Sequence, residues 1–276
     1  MPEGHTLRRL ALDLGEAFAG SRVRVSSPQG RFAEEARGLD GALLVAAESA
    51  GKHLFVEFEA ERFVHVHLGL IGTFVVAPGP APEPRGAIRL RLEGATAHAD
   101  LRGATRCDLV GPQRREQVLA ELGPDPLRAD ADPSRAWERI RSSTRSIGDL
   151  LMDQSVLAGV GNVYRAEVLF RQRLDPFRPG SSLRRGQWQA IWDDLVELMA
   201  DGVRLGRIDT VRPEHTPEAM GRPPRVDDHG GEVYVYRRDQ RPCHVCGATV
   251  RTESMASRNL FWCPRCQRRW RSRTSA

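Results

Sequence analysis

Two C-x2-C pairs, Cys243/Cys246 and Cys263/Cys266, stand sixteen residues apart near the C-terminus. That spacing suits a four-thiolate zinc site built from two knuckles at the ends of a hairpin. Arginines 251, 258, 265, 268, 269, 271 and 273 surround it, with Phe261, Trp262 and Trp270 interleaved. A metal-pinned hairpin of this composition suits a nucleic-acid surface; the plainer reading is a structural zinc ribbon. At the other end, Met1 precedes Pro2 and Glu3. Removal of Met1 would free a secondary amine, which titrates near 8, is partly unprotonated at neutral pH and can form an iminium with an aldehyde. Glu3 beside it could move a proton. Pro-Glu also simply begins many helices. Lys52 is the only lysine, and every other member of the 41 basic residues is arginine. Only lysine of the two readily gives up its proton, so Lys52 is a candidate for chemistry, with compositional bias as the alternative.

These groups need elements to hold them. Leu7, Leu10, Leu14 and Phe18 mark one face of a helix stopped by Gly20. Residues 21–110 read as short strands broken by Pro- and Gly-rich stretches, a β-sandwich or barrel. Lys52, after Gly51, falls at the exposed start of a strand, and His67-Leu68-Gly69-Leu70-Ile71-Gly72 makes a tight turn that can push Leu70 into solvent. Asp100-Leu101-Arg102 falls at a later strand end. Residues 111–133 read as a connector. Ser146 is expected to cap a helix over 147–157, and Asn162 a helix over 163–171 after the turn at Gly159-Val160-Gly161. Trp188, Ile191, Trp192, Leu195, Leu198 and Met199 form a core-facing helical stripe. Residues 204–231 are too polar and too rich in Pro and Gly for regular structure, and loops of that length are usually functional.

The chain has 276 residues and a formal net charge of +5. The basic excess is uneven: from Val233 onward ten arginines face only Asp239 and Glu253. This favours a polyanionic partner and salt-sensitive binding. Four of five cysteines serve the zinc site, and the fifth, Cys107, reads as a core thiol, a pattern of a reducing cytosol. No signal peptide or membrane-length apolar run is visible.

Taken together, Pro2-Glu3-Gly4, Gly51-Lys52, the 67–72 turn, Asp153-Gln154, the run Gly159-Val160-Gly161-Asn162-Val163-Tyr164 and the four-cysteine hairpin resemble the formamidopyrimidine-DNA glycosylase/endonuclease VIII family. The resemblance spans essentially the whole chain. Pro-Glu-Gly and Gly206-Arg207-Ile208-Asp209 are similar to actinobacterial endonuclease VIII-like proteins, a branch that mostly removes oxidised pyrimidines. It implies an α+β multidomain fold: an N-terminal helix plus β-sandwich (1–122), a helix-two-turn-helix domain (123–232) and a four-cysteine zinc hairpin (233–276), with DNA in the cleft. It implies one structural zinc, damaged DNA as partner, no membrane, a monomer, and a bacterial cytoplasmic protein held at the nucleoid through DNA.

The implied activity is a base-excision-repair glycosylase with abasic-site lyase activity, by an iminium at Pro2 and β,δ-elimination. Glu3 would be the proton donor. Lys52 would assist and touch phosphate. Arg258 would hold the lesion phosphate and serve δ-elimination, and Asn162 would hold another phosphate. Leu70 would fill the vacated stack, and Arg102 would face the orphaned base. Three departures stand out: Thr6 where many relatives have a second glutamate, Ala104 where the purine branch has phenylalanine, and residues 204–231 unlike a purine-capping loop. An oxidised-purine glycosylase, a lyase alone and a non-catalytic damage binder are the alternatives.

Overall fold

The computed structural model describes residues 2–226 and 231–271. Met1 and Arg273 therefore lie outside the described residues. Contacts divide the chain into two compact units, Met1–Leu122 and Gly123–Ala276.

The first unit opens with helix α1, Gly4–Phe18, whose buried Leu7, Leu10, Leu14 and Phe18 follow the expected stripe. Gly20, at φ +77°, lets the chain leave the helix without a Cβ clash. Nine strands follow: β1 (Ser21–Arg22), β2 (Arg24–Ser26), β3 (Leu43–Ala50), β4 (His53–Phe58), β5 (Arg62–His67), β6 (Thr73–Pro78), β7 (Ile88–Glu93), β8 (Ala97–Arg102) and β9 (Arg106–Val110). They form two antiparallel sheets, β1-β3-β4-β5-β9 and β2-β7-β8-β6. Leu54, Val56, Phe58, Val64 and Val66 of one sheet share a core with Leu90, Leu92, Ala99 and Leu101 of the other, and α1 buries its stripe in the same core.

Two helices interrupt the strand reading. Helix α2, Ala33–Leu39, carries only Ala36 and Leu39 inward, too short a stripe to reveal itself. Helix α3, Pro112–Glu121, occupies the stretch expected to be connector; Pro112 suits its first turn, and Val118 is its one buried residue. Val118 covers Phe55 and Phe63, which lie on the outer face of the five-stranded sheet. Phe55 is thus fully buried although strand alternation points it away from the main core.

In the second unit, α4 (Pro133–Arg141) and the single-turn α5 (Ile147–Leu150) precede α6 (Asn162–Arg171) and α7 (Arg185–Leu205). Ser146 caps α5 as expected, accepting from the Asp149 amide at 3.3 Å, but the helix ends at Leu150 and not at 157. Every residue from Asn162 to Phe170 is buried, so α6 is the central rod of this unit. Trp188, Ile191, Trp192, Leu195, Leu198 and Met199 of α7 pack in its core. Residues 204 and 205 still belong to the last turn of α7, and residues 206–226 hold only a 3-10 turn at Pro213–His215 and α8, Pro217–Met220. The hairpin β10 (Arg251–Met255) and β11 (Arg258–Trp262) completes the fold. Val250, Phe261, Cys243 and Cys263 share one core with α6 and α7.

Besides this apolar core, hydrogen bonds tie the rod to the segment that precedes the hairpin. The buried Glu167 carboxylate accepts the amides of Tyr234, Val235 and Tyr236 at 2.7, 2.8 and 2.9 Å, and the Thr210 hydroxyl at 2.6 Å. One carboxylate thereby satisfies the backbone of the segment leading into the first zinc knuckle.

Candidate active site and metal centre

In the first unit the N-terminal pair leads directly into α1. Pro2 is half-buried, and Glu3, the N-cap of α1, is completely withdrawn from solvent. Thr6 takes a positional role: its hydroxyl accepts the Glu3 amide at 3.4 Å and lies 3.3 Å from His5 Nε2. Burial and the chain's amino terminus push the His5 pKa down to about 4, so this neighbour of Glu3 is neutral at physiological pH. The hydroxyl in place of a second carboxylate ties the Glu3 backbone without adding charge.

Lys52 is not at an exposed strand start. It is half-buried in the two-residue turn joining β3 and β4, where Gly51 takes φ +56° and Ala50 pairs with His53. Strands β3 and β4 are among those against which α1 packs. Next to Lys52 lie three imidazoles, of which the sequence singled out only His67, as the start of the 67–72 turn. His53 Nδ1 is 2.8 Å from His65 Nε2, and the His53 and His67 rings are 5.2 Å apart. Burial lowers His53 to about 3, helped by the neighbouring His65 and His67 and then by Arg106 and Arg114, and lowers His65 to about 4, helped by Arg106, His67 and Arg114. Burial and the Lys52 charge lower His67. The cluster therefore adds no positive charge around the lysine at neutral pH. The H-x-H alternation of His65 and His67 was the available signal.

His67 also anchors the protruding turn. The Gly69 amide donates to His67 Nδ1 at 3.2 Å, and the Thr105 hydroxyl donates to the His67 carbonyl at 3.0 Å. A Cβ on Gly72 would sit 2.3 Å from the Leu68 carbonyl oxygen, which reserves that position for glycine. The turn exposes Leu70 by 54% and Ile71 by 83%, so the solvent-facing apolar pair includes a residue beyond the expected Leu70. Ala104 abuts Gly72 and packs against the sandwich core. Arg102 is half-exposed and pairs with Asp100 at 2.9 Å. Burial alone would raise the Asp100 pKa, but bonds at 2.7 and 2.9 Å to the buried Arg91, joined by Arg102, hold it below the usual carboxylate value.

In the second unit, Asn162 does not cap α6; Gly161 is the N-cap. The Asn162 side chain instead donates from Nδ2 to the Asn259 carbonyl at 2.9 Å, beside Arg258. Arg258 is half-buried and opens β11, paired across the ladder with Met255. Between them Ala256 and Ser257 have φ +52° and +58°. Two non-glycine residues in this region cost on the order of 1 kcal/mol each.

Cys243, Cys246, Cys263 and Cys266 place their sulfurs within 4.8 Å of one another. Two pairs are 3.9 and 3.4 Å apart, close to the roughly 3.8 Å edge of a tetrahedron with Zn–S bonds near 2.3 Å. Burial pushes the Cys243 thiol up to about 11 and raises Cys266 as well. A metal able to displace those protons is what makes such a buried set favourable, and the four-sulfur donor set fits zinc.

Comparison with known proteins places the chain in a family. Residues 1–107 match the formamidopyrimidine-DNA glycosylase N-terminal domain, residues 122–213 the formamidopyrimidine-DNA glycosylase H2TH domain, and residues 241–269 a zinc finger found in FPG and IleRS. The chain is 52% identical over 271 residues to endonuclease 8 1 of Mycobacterium tuberculosis, covering 97% of this chain and 100% of that protein. It is 34% identical over 273 residues to the formamidopyrimidine-DNA glycosylase of Thermus thermophilus, covering 97% of each. Its fold matches that of Lactococcus lactis Fpg in complex with abasic-site DNA, with a TM-score of 0.79 at 22% identity over 97% of this chain and 100% of that one. The chain belongs to the formamidopyrimidine-DNA glycosylase/endonuclease VIII family. Its class is that of bifunctional DNA glycosylases with abasic-site lyase activity in base-excision repair, carrying one structural zinc.

Proposed function

We propose that the enzyme removes oxidised pyrimidines from DNA through Pro2 and then cuts the strand by β,δ-elimination. The observation that supports this most is Glu3, wholly buried immediately after the candidate nucleophile. The Pro-Glu-Gly start and the endonuclease 8 relative support the pyrimidine preference.

After loss of Met1, the Pro2 nitrogen attacks C1′ of a flipped nucleotide and the C1′–N bond to the base breaks. Glu3 gives its proton to O4′ as the sugar ring opens, leaving an iminium between Pro2 and C1′. The iminium acidifies C2′; loss of that proton expels the 3′-phosphate, and δ-elimination then expels the 5′-phosphate. Lys52 assists these steps and touches phosphate. Arg258 and Asn162 hold phosphates, Leu70 fills the vacated stack and Arg102 faces the orphaned base. The enzyme works as a monomer of three modules, 1–122, 123–232 and 233–276, in the bacterial cytoplasm at the nucleoid.

Borohydride trapping on DNA bearing thymine glycol, 8-oxoguanine or an abasic site tests this. A covalent adduct is expected on thymine glycol and abasic DNA and is lost when an N-terminal tag blocks Pro2. Stronger base release from 8-oxoguanine would replace the pyrimidine preference with a purine one. Adducts on abasic DNA alone would reduce the activity to a lyase.

A further inference from the structure

The β10–β11 turn is held from outside itself. Its two left-handed residues, Ala256 and Ser257, lack the Asn-Gly chemistry that stabilises such turns locally. The holding contacts come from α6. Arg165, fully buried, donates through one terminal nitrogen to the carbonyls of Met255 and Gly148, each at 3.4 Å. Its other terminal nitrogen donates to Asn162 Oδ1. Asn162 Nδ2 in turn donates to the Asn259 carbonyl. Met255 faces Arg258 across the ladder and Asn259 follows it in the chain, so the residue opposite Arg258 and the residue after it are held by one network. Met255 is seated by its side chain too: Ser146 Oγ donates to its sulfur at 3.6 Å, and a Cβ on Gly148 would come within 2.8 Å of that sulfur.

We infer that Arg165 is a positioning residue for strand cleavage: it locks the β10–β11 turn in the one conformation that presents Arg258, and couples that turn to Asn162. The inference rests on the phosphate-binding reading of Arg258. A buried guanidinium is costly unless its donors are used, and nothing about a central helix requires arginine here. The planar fork reaches Asn162, the α5 backbone and the hairpin backbone together, which the single ammonium of lysine cannot reproduce.

The test uses the full zinc-loaded chain with Met1 removed. Arg165→Met keeps length and apolar volume; Arg165→Lys keeps the charge. Single-turnover β- and δ-elimination on an abasic duplex are followed separately, normalised to the active fraction from end-point borohydride trapping. Arg165→Met is expected to slow δ-elimination about tenfold, the loss of a charge-assisted contact, while β-elimination falls much less. It should also flatten the salt dependence of binding, the effect expected of Arg258→Ala if Arg258 holds a phosphate, and add nothing in an Arg258→Ala background. Arg165→Lys should recover part of the δ-rate. Wild-type δ-rates in Arg165→Met, or effects that multiply with those of Arg258→Ala, overturn the inference. If Arg165→Met yields no trapped adduct, Arg165→Lys decides: a reduced δ-rate with faster amide exchange over residues 254–259 supports the clamp, and wild-type values overturn it. A wild-type salt slope and δ-rate in Arg258→Ala overturn the phosphate reading of Arg258 and this inference with it, an outcome recognisable because Arg165 plays no part in that measurement.

Discussion

His53 Nδ1 and His65 Nε2 share a hydrogen bond at 2.8 Å on the outer face of the five-stranded sheet, with the His65 ring stacked on Phe55 at 4.5 Å. Both imidazoles have pKa values well below the usual 6.5, chiefly through burial, at about 3 and about 4. As pH falls below 6.5 the unfolded chain takes up protons before the folded one. Their contribution to stability is therefore complete above about pH 6.5 and drains away toward pH 4 and below. Each imidazole sets a slope of up to about 1.4 kcal/mol per pH unit across that window. Urea unfolding of the first unit should show this decline between pH 6.5 and 4.5. Replacing His65 with phenylalanine, which can keep the stack on Phe55, should flatten it. A wild-type slope in that variant would mean His65 is not the group responsible.

The exposed Leu70 and Ile71 make a second prediction. An apolar wedge matters only where a stack must be filled after base extrusion. Leu70→Ala and Ile71→Ala should each lower kcat/KM on duplex thymine-glycol DNA by about tenfold, equivalent to roughly 1.4 kcal/mol. Neither should change activity on a single-stranded abasic oligonucleotide. Equal losses on both substrates would point to damage of the turn itself, and no loss for Ile71→Ala would leave Leu70 as the wedge.

What could be read in the chain beforehand follows from how local each signal is. The cysteine spacing, the α1 stripe and the tryptophan face of α7 are each written within a few turns or a single hairpin. The cover over Phe55 is not, because α3 has one buried residue, Val118, and almost no apolar periodicity. Asn162 looks like a helix cap because it follows Gly161, yet its side chain is claimed by a carbonyl 97 residues away. Arg165 resembles an ordinary surface arginine until a hairpin 90 residues later buries it. Partners so remote leave no pattern in a window of neighbouring residues.

Glu167 carries a third prediction. It is completely buried and accepts three consecutive backbone amides together with the Thr210 hydroxyl. Glu167→Ala leaves those donors without a partner, at about 1–3 kcal/mol for each group that water cannot reach. Thermal unfolding should show the second unit's transition strongly lowered. Glu167→Gln should fall between, since its amide oxygen can accept only part of the set and its NH2 faces donors. An unchanged transition in Glu167→Ala would mean the segment at 233–236 is held by apolar packing alone.

Zinc removal tests how far the metal's influence reaches. A free-standing hairpin would unfold by itself, but Cys243, Val250, Phe261 and Cys263 share a core with α6 and α7. Gln267, one residue past the last ligand, donates to the Leu174 carbonyl at 3.0 Å and accepts the Cys263 amide at 2.9 Å. Loss of the metal therefore removes part of the helical core's packing and not only the knuckles, because structural zinc contributes folding energy directly. Cys263→Ala, or chelation, should lower the melting of the whole second unit and weaken DNA binding. The first unit, with its separate sandwich core, should keep its own transition. Hydrogen exchange resolved by segment checks this: increased exchange is expected in α6 and residues 233–271, with β3 to β5 unchanged. Exchange confined to residues 241–269 would show that the zinc module melts alone, and a matching rise in β3 to β5 would show that the two units do not unfold independently.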